Sequence, residues 1–111
     1  AGELKHGPIS LIEDGTLVIA IATYEKLFDK MMSNVREVKA RGAVVLGITV
    51  QDKEEALKQE TDYQFCVPDI TDFMLPSLSI LPLQLFAYYV ASMKGCDIDK
   101  PRNLAKSVTV E

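Results

Sequence analysis

The chain has 111 residues, a length that allows one domain or part of one. Its apolar fraction of 48% and charged fraction of 25% are typical of a soluble globular protein. The formal net charge of −4 argues against nucleic acid as a main partner, because phosphate backbones bind basic surfaces. A small phosphorylated metabolite remains compatible, since one local cluster of donors can hold it.

The two cysteines, Cys66 and Cys96, are too few for a disulfide framework and lack metal-ligand spacing. They favour a reduced, cytoplasmic protein. The sequence carries no signal-peptide pattern. Its most apolar stretch, residues 75–93, contains Pro76 and Pro82, which favours a buried helix over a membrane span.

The first predicted elements are a strand and a helix. Residues 16–22 (TLVIAIA) form a near-continuous apolar run, the pattern of a strand buried on both faces. Residues 24–41 predict a helix, with Thr23 as its N-cap and Gly42 just past its end. The helical stripe predicts the buried positions Leu27, Phe28, Met31, Val35 and Val38.

The alternation then continues with a second strand over residues 43–50, a short helix over 53–59 with Asp52 as its cap, and a third strand over 63–67. A long apolar helix follows to Met93, with Asp72 as a candidate cap and with Pro82 as a kink or as its true start. Strands that alternate with helices predict a parallel sheet, here half of a three-layer α/β domain. We expect its open edge to pair with strands outside this chain.

Few side chains have an evident chemical role. His6 is the only histidine, and an imidazole can move protons near neutral pH. The amine of Lys106 could form a Schiff base with a keto sugar. Hydroxyls that could bind phosphate belong to Ser10, Thr23, Thr49 and Ser107. On chemistry alone, an exposed loop histidine and a solvated terminal lysine without a role are the favoured explanations of His6 and Lys106, and helix capping explains Thr23 as well as phosphate binding does.

Two terminal segments carry a more specific signal. Residues 1–8 read AGELKHGP and residues 97–111 read DIDKPRNLAKSVTVE, with PLQL at residues 82–85 between them. Together they resemble the second sugar isomerase (SIS) domain of the glucosamine-6-phosphate synthase family. The resemblance implies a three-layer parallel-sheet, flavodoxin-like α/β fold. Residues 1–96 would then be the C-terminal portion of that domain, and residues 97–111 a tail that covers the sugar site.

The resemblance also implies an activity. The family converts fructose 6-phosphate and glutamine to glucosamine 6-phosphate and glutamate, the first step of hexosamine synthesis, as an aminotransferase and ketol isomerase. His6 would open the sugar ring in the active site of the neighbouring subunit of a homodimer. Lys106, beside Ala105, would contact the sugar and form an imine with its carbonyl. No cofactor, metal, nucleic acid or membrane is implied.

Other parts of the family's site lie outside this sequence. The glutamate that acts as general base precedes the AGELKHGP motif, the phosphate-binding loop belongs to the first SIS domain, and the nucleophilic cysteine belongs to the glutaminase domain. The remainder of the synthase is therefore an implied partner. By itself, this chain is expected to be inactive.

Three alternatives remain open from the sequence. One is a SIS enzyme without a glutaminase domain, acting as an isomerase or deglycase on aminated or glycated sugar phosphates. Another is a non-catalytic SIS module that binds a sugar phosphate or forms a dimer. A receiver-type or flavodoxin-type domain is the third, and it is disfavoured because the strand ends lack clustered acidic residues.

Overall fold

Three parallel strands form the centre of the computed structural model, which describes residues 1–100. Strands β1 (Leu17–Ile21), β2 (Val44–Val50) and β3 (Tyr63–Val67) lie in the order β1-β2-β3. Each strand lies within one residue of its predicted bounds. The predicted α/β class with a parallel sheet is therefore confirmed.

The helices follow the strands in the predicted order, but two of them begin with a tighter turn. A 3₁₀ turn over Glu25–Leu27 leads into α1 (Phe28–Lys39). A second 3₁₀ turn over Gln51–Lys53 leads into α2 (Glu54–Lys58). The long helix α3 spans Leu75–Met93.

One hydrophobic core joins α1 and α2 to the sheet. The stripe predicted for α1 is correct at Phe28, Val35 and Val38, which are all buried. Leu27 was predicted to be buried but is 50% exposed, because it lies in the 3₁₀ turn before the helix. Met32 is buried in the helix instead. The core consists of Ala20, Ala22, Phe28, Met32, Val35, Val38, Ala43, Val45 and Leu57.

The predicted side-chain caps at Thr23 and Asp52 are wrong. Neither α1 nor α2 has a side-chain cap, and the residue at the cap position is Leu27 in α1 and Lys53 in α2. The cause is the 3₁₀ turn that precedes each helix: Thr23 lies four residues before the cap position of α1, and Asp52 lies inside the 3₁₀ turn, one residue before the cap position of α2. The proposed cap at Asp72 stays a prediction.

Helix α3 runs without a break through Pro82, so the alternative that Pro82 marks the start of the helix is wrong.

The chain divides into two compact units, Ala1–Ser79 and Ile80–Glu111. Leu75 and Ser79 are the buried residues of α3. The prediction of a buried helix is wrong, because only 11% of its most apolar window is buried. By length and a mean hydropathy of 1.2 this helix could cross a membrane, so the expected absence of a membrane span stays a prediction.

Asp62 ties together the starts of two strands and the end of α1. Its Oδ2 accepts a hydrogen bond from the Val45 amide at 2.8 Å, and its Oδ1 accepts one from Lys39 Nζ at 2.9 Å. The Val45 amide and the Lys39 ammonium both favour the charged carboxylate and lower the pKa of Asp62. Ionised Asp62 therefore stabilises the folded state.

We predict that Asp62→Asn weakens the acid dependence of stability. Because the folded-state pKa is lowered, the contribution of Asp62 is complete above its unfolded pKa of about 4 and is lost as the pH falls through the folded value. The variant should lose less stability than the wild type over that acidic range. Urea midpoints measured as a function of pH test this, and equal acid slopes for both proteins would contradict it.

Gly47 on β2 leaves room for a core leucine. A Cβ at this position would lie 2.7 Å from Leu57 Cδ2 and 2.9 Å from both Cγ and Cδ1. Leu57 is fully buried at 0% exposure, so its side chain has little freedom to move away. The packing of α2 on β2 therefore requires glycine here.

We predict that Gly47→Ala lowers the free energy of unfolding by about 1–3 kcal/mol, the usual cost of overpacking a core. Gly2→Ala is the matched control, because a Cβ at Gly2 meets nothing within 4 Å. Denaturant unfolding of the two variants measures the difference. Equal midpoints for Gly47→Ala and the control would contradict the account of the packing.

Candidate functional site

His6 is the last residue of the first of two short 3₁₀ turns near the amino terminus. The first turn spans Leu4–His6 and the second spans Pro8–Leu11. Gly7 joins them with a φ of 155° and a ψ of −57°, a conformation that residues with a side chain rarely adopt. The Gly7 carbonyl accepts hydrogen bonds from both the amide and the hydroxyl of Ser10, at 2.9 and 2.7 Å. The backbone on both sides of His6 is therefore locally ordered.

The turns are attached to the core by apolar and ionic contacts. Leu4 and Ile12 are partly buried against the hydrophobic core. Lys5 Nζ lies 2.6 Å from Glu37 Oε1 on α1. These three side chains hold the His6 turn against the helix and strand behind it.

The side chain of His6 itself is exposed. Among residues 1–100, no side chain donates to or accepts a hydrogen bond from its imidazole. Both ring nitrogens are therefore accessible to a molecule that approaches this turn. An accessible imidazole on a fixed turn can act as a general acid or base.

The other two predicted sugar contacts, Ala105 and Lys106, lie outside the described residues. The geometry therefore does not test whether His6 and Lys106 come together. The predicted boundary between the domain and its tail, at residues 96 and 97, is also untested. At that point, the backbone amides of Asp99 and Lys100 donate to Asp97 Oδ1 at 3.1 and 2.9 Å.

The hydroxyls considered as phosphate ligands are engaged within the protein. Thr49 is fully buried, and its hydroxyl donates to the Ala22 carbonyl at 3.0 Å. Thr23 is also buried, with its hydroxyl oxygen 3.2 Å from Ser79 Oγ. Ser10 donates to Gly7, as described above. These three hydroxyls therefore do not form a phosphate loop, and Ser107 lies outside the described residues.

A polar cleft opens at the carboxyl ends of the strands, where parallel sheets commonly bind ligands. It is lined by Thr23 after β1, by Asp52 and Lys53 after β2, and by Asp69 and Asp72 after β3, among others. Within residues 1–100, no group of three His, Cys, Asp or Glu side chains could hold a metal ion. This cleft and the His6 turn are separate features of the first unit.

The two cysteines are both free, and Cys66 lacks the character of an activated nucleophile. Burial raises the pKa of the half-buried Cys66, and the nearby Glu54 carboxylate raises it further. Cys66 is thus a protonated packing residue at neutral pH. Cys96 is exposed.

The contact that sequence reasoning missed is the Lys5–Glu37 ion pair. In the sequence, Glu37 lies outside the apolar stripe predicted for α1 and Lys5 lies beside His6. A pair 32 positions apart has no signature in local spacing. The ion pair follows from the side of α1 that faces the first turn, which only the tertiary structure shows.

Comparison with known proteins agrees with this fold and motif. The profile of the SIS domain family matches residues 1–94. The glutamine–fructose-6-phosphate aminotransferase (isomerizing) of Clostridium acetobutylicum is 56% identical over 110 residues, which cover 99% of this chain and 18% of that protein. The protein of the same name from Methanosarcina acetivorans is 52% identical over 111 residues. This chain thus spans 18% of the length of these relatives.

A solved structure supports the same assignment. The C-terminal domain of glucosamine-fructose-6-phosphate aminotransferase from Francisella tularensis superimposes with a TM-score of 0.83 and 34% sequence identity. The match covers 89% of this chain and 28% of that one. The family profile matches almost all of the described residues, and the solved domain shares the fold of this chain. The chain therefore belongs to the SIS domain family.

Proposed function

We propose that this chain is part of the isomerase portion of a glutamine–fructose-6-phosphate aminotransferase. The observation that carries the proposal is the 52–56% identity over essentially the whole chain to relatives of that name. In the overall reaction, glutamine is hydrolysed to glutamate and ammonia. Ammonia and fructose 6-phosphate then give glucosamine 6-phosphate with loss of water.

His6 has the chemistry that ring opening requires. A cyclic ketose opens when a proton leaves the anomeric hydroxyl and another reaches the ring oxygen, and an imidazole can transfer both. The exposure of His6, and its position on a turn fixed by Leu4 and Lys5, support this role. We assign His6 to the active site of a neighbouring subunit in a homodimer.

Lys106 and Ala105 are assigned to the sugar site of their own subunit. The Lys106 amine is suited to form an imine with the open-chain carbonyl, with loss of water. The tail, residues 97–111, would close over the bound sugar and exclude water, so that ammonia is retained. These assignments rest on the match of the tail sequence to the family.

The remainder of the synthase is the proposed partner of an apolar groove along β1. Residues that line this groove include Ala1, Leu4, Ile19, Ile21 and Val35. Strand β1 pairs only with β2 among the described residues, so its other edge is available for a further strand. A cytoplasmic location is part of the same proposal, as expected for a metabolic enzyme.

His6→Asn in the full-length protein tests the proposed function. We expect glucosamine 6-phosphate formation to fall by about 100-fold or more, the usual contribution of one acid–base group. Release of glutamate from glutamine reports on the separate glutaminase reaction, and an unchanged midpoint of thermal unfolding confirms that the SIS domain of the variant is folded. Unchanged product formation by the variant would favour a non-catalytic SIS module. If the wild type forms product only from aminated sugars, the SIS enzyme without a glutaminase domain is favoured instead.

Mixed dimers test whether His6 serves the neighbouring subunit. A dimer of one His6→Asn subunit and one Lys106→Ala subunit would keep one site with both residues intact, so it should have about half the wild-type activity. If each site used its own His6, both sites of the mixed dimer would be damaged. Separately tagged subunits purified as mixed dimers allow this measurement, and absence of activity would contradict the shared site.

The isolated 111 residues are predicted to form no glucosamine 6-phosphate, because the general base and phosphate loop of the family belong to other segments. The measurement is product formation with fructose 6-phosphate and glutamine or ammonia. The full-length protein provides the positive control. Product from the isolated chain would contradict the division of the site between segments.

A further inference from the structure

We propose that Glu37 is a positioning residue for His6, acting through Lys5. The proposal rests on the proposed function, in which His6 transfers protons during ring opening. It deepens that function by naming the contact that fixes the place of the imidazole. Glu37 itself need not touch the sugar.

Local hydrogen bonds define the shape of the His6 turn but not its location. The amide of Leu4 donates to the Ala1 carbonyl and that of His6 donates to the Glu3 carbonyl, both at 3.1 Å. Each of these bonds joins residues three apart, so the turn could keep them while it moved as a unit. Contacts with the rest of the chain must therefore set where the turn lies.

Two neighbouring side chains provide those contacts. Leu4 packs against the hydrophobic core, a contact without directional preference. Lys5 forms the ion pair with Glu37 at 2.6 Å. The Cα atoms of Lys5 and His6 are joined by a single peptide unit of about 3.8 Å, so holding Lys5 limits the movement of His6.

Glu37 is a firm attachment point for this ion pair. It lies on α1 between Val35 and Val38, which are each only 2% exposed. Arg41 Nη1 also donates to the Glu37 carbonyl at 2.7 Å. The backbone of Glu37 is thus fixed by the core, while its carboxylate faces the turn.

The ion pair has more effect on position than on folding. The side chains of Lys5 and Glu37 are 59% and 30% exposed, and ion pairs this accessible to water contribute little to global stability. A catalytic group displaced by about 1 Å can nevertheless cost up to about 100-fold in rate. Loss of the pair should therefore reduce turnover while unfolding changes little.

The first test is Glu37→Gln in the full-length protein. We expect kcat for glucosamine 6-phosphate formation to fall by about 10-fold, with KM for fructose 6-phosphate within about 2-fold and an unchanged midpoint of thermal unfolding. Glu60→Gln is the matched control, because Glu60 pairs with Arg36, the residue before Glu37 on the same helix. An equal loss in both variants, or no loss in Glu37→Gln, would overturn the proposal.

The exchanged pair, Lys5→Glu with Glu37→Lys, provides the second test. Reversing the charges restores the ion pair, so kcat should recover most of the loss seen with Lys5→Glu alone. This variant also decides the matter if Glu37→Gln is poorly folded. Failure to recover would overturn the proposal and would indicate that Lys5 acts directly on another group.

A double-variant cycle separates this inference from the proposed function. If Glu37 acts through His6, adding Glu37→Gln to His6→Asn should change kcat by less than about 2-fold. Full and independent losses would overturn the role of Glu37. If the His6→Asn protein is active, the proposed function is wrong. If the His6→Asn protein is inactive and the Glu37→Gln protein is fully active, only the role of Glu37 is wrong.

Discussion

The packing of two helices against strand β2 is the constraint on which the first unit depends. Strand β2 is paired on both sides, and Gly47 lets the fully buried Leu57 approach its backbone. Asp62 joins the beginning of β2 to the end of α1 through Val45 and Lys39. Because the inner surface of α1 is fixed by this core, its outer surface offers fixed positions such as Glu37.

The candidate catalytic group depends on that arrangement indirectly. His6 is exposed and lies on a short turn that is too small to have a core of its own. Its attachment combines two apolar side chains, Leu4 and Ile12, with one ion pair, Lys5–Glu37. These contacts leave the imidazole accessible to a sugar and keep the backbone of His6 in place.

Much of the fold could be predicted because apolar periodicity reports burial directly. All three strands were correctly located: β1 and β2 are apolar runs rich in β-branched residues, as is typical of parallel strands, and β3 is a short segment that ends before Pro68. The helix starts were less predictable, because 3₁₀ turns at Glu25–Leu27 and Gln51–Lys53 displaced the caps expected at Thr23 and Asp52. The sequence also did not reveal that most of α3 is exposed in this chain. An apolar composition indicates that a helix is covered, but it does not indicate whether the surface that covers it belongs to the same chain segment.

The candidate site was predictable only in part, and for a different reason. His6 and Lys106 were identified by motif resemblance, whereas their chemistry alone favoured an exposed histidine and a terminal lysine without a role. The hydroxyl of Thr49 shows the weakness of chemistry without geometry, since it is fully buried and bonded to Ala22. The Lys5–Glu37 contact depends on tertiary packing and has no local pattern. Position in the fold thus adds information that residue type cannot supply.

The central claim is that His6 transfers the protons that open the sugar ring. Carbon-13 NMR of fructose 6-phosphate labelled at the carbonyl carbon, bound to the full-length protein without glutamine, tests it most directly. The account predicts an open-chain ketone or imine signal with the wild type and a signal from the closed ring alone with His6→Asn. An equal open-chain signal in both proteins would contradict it.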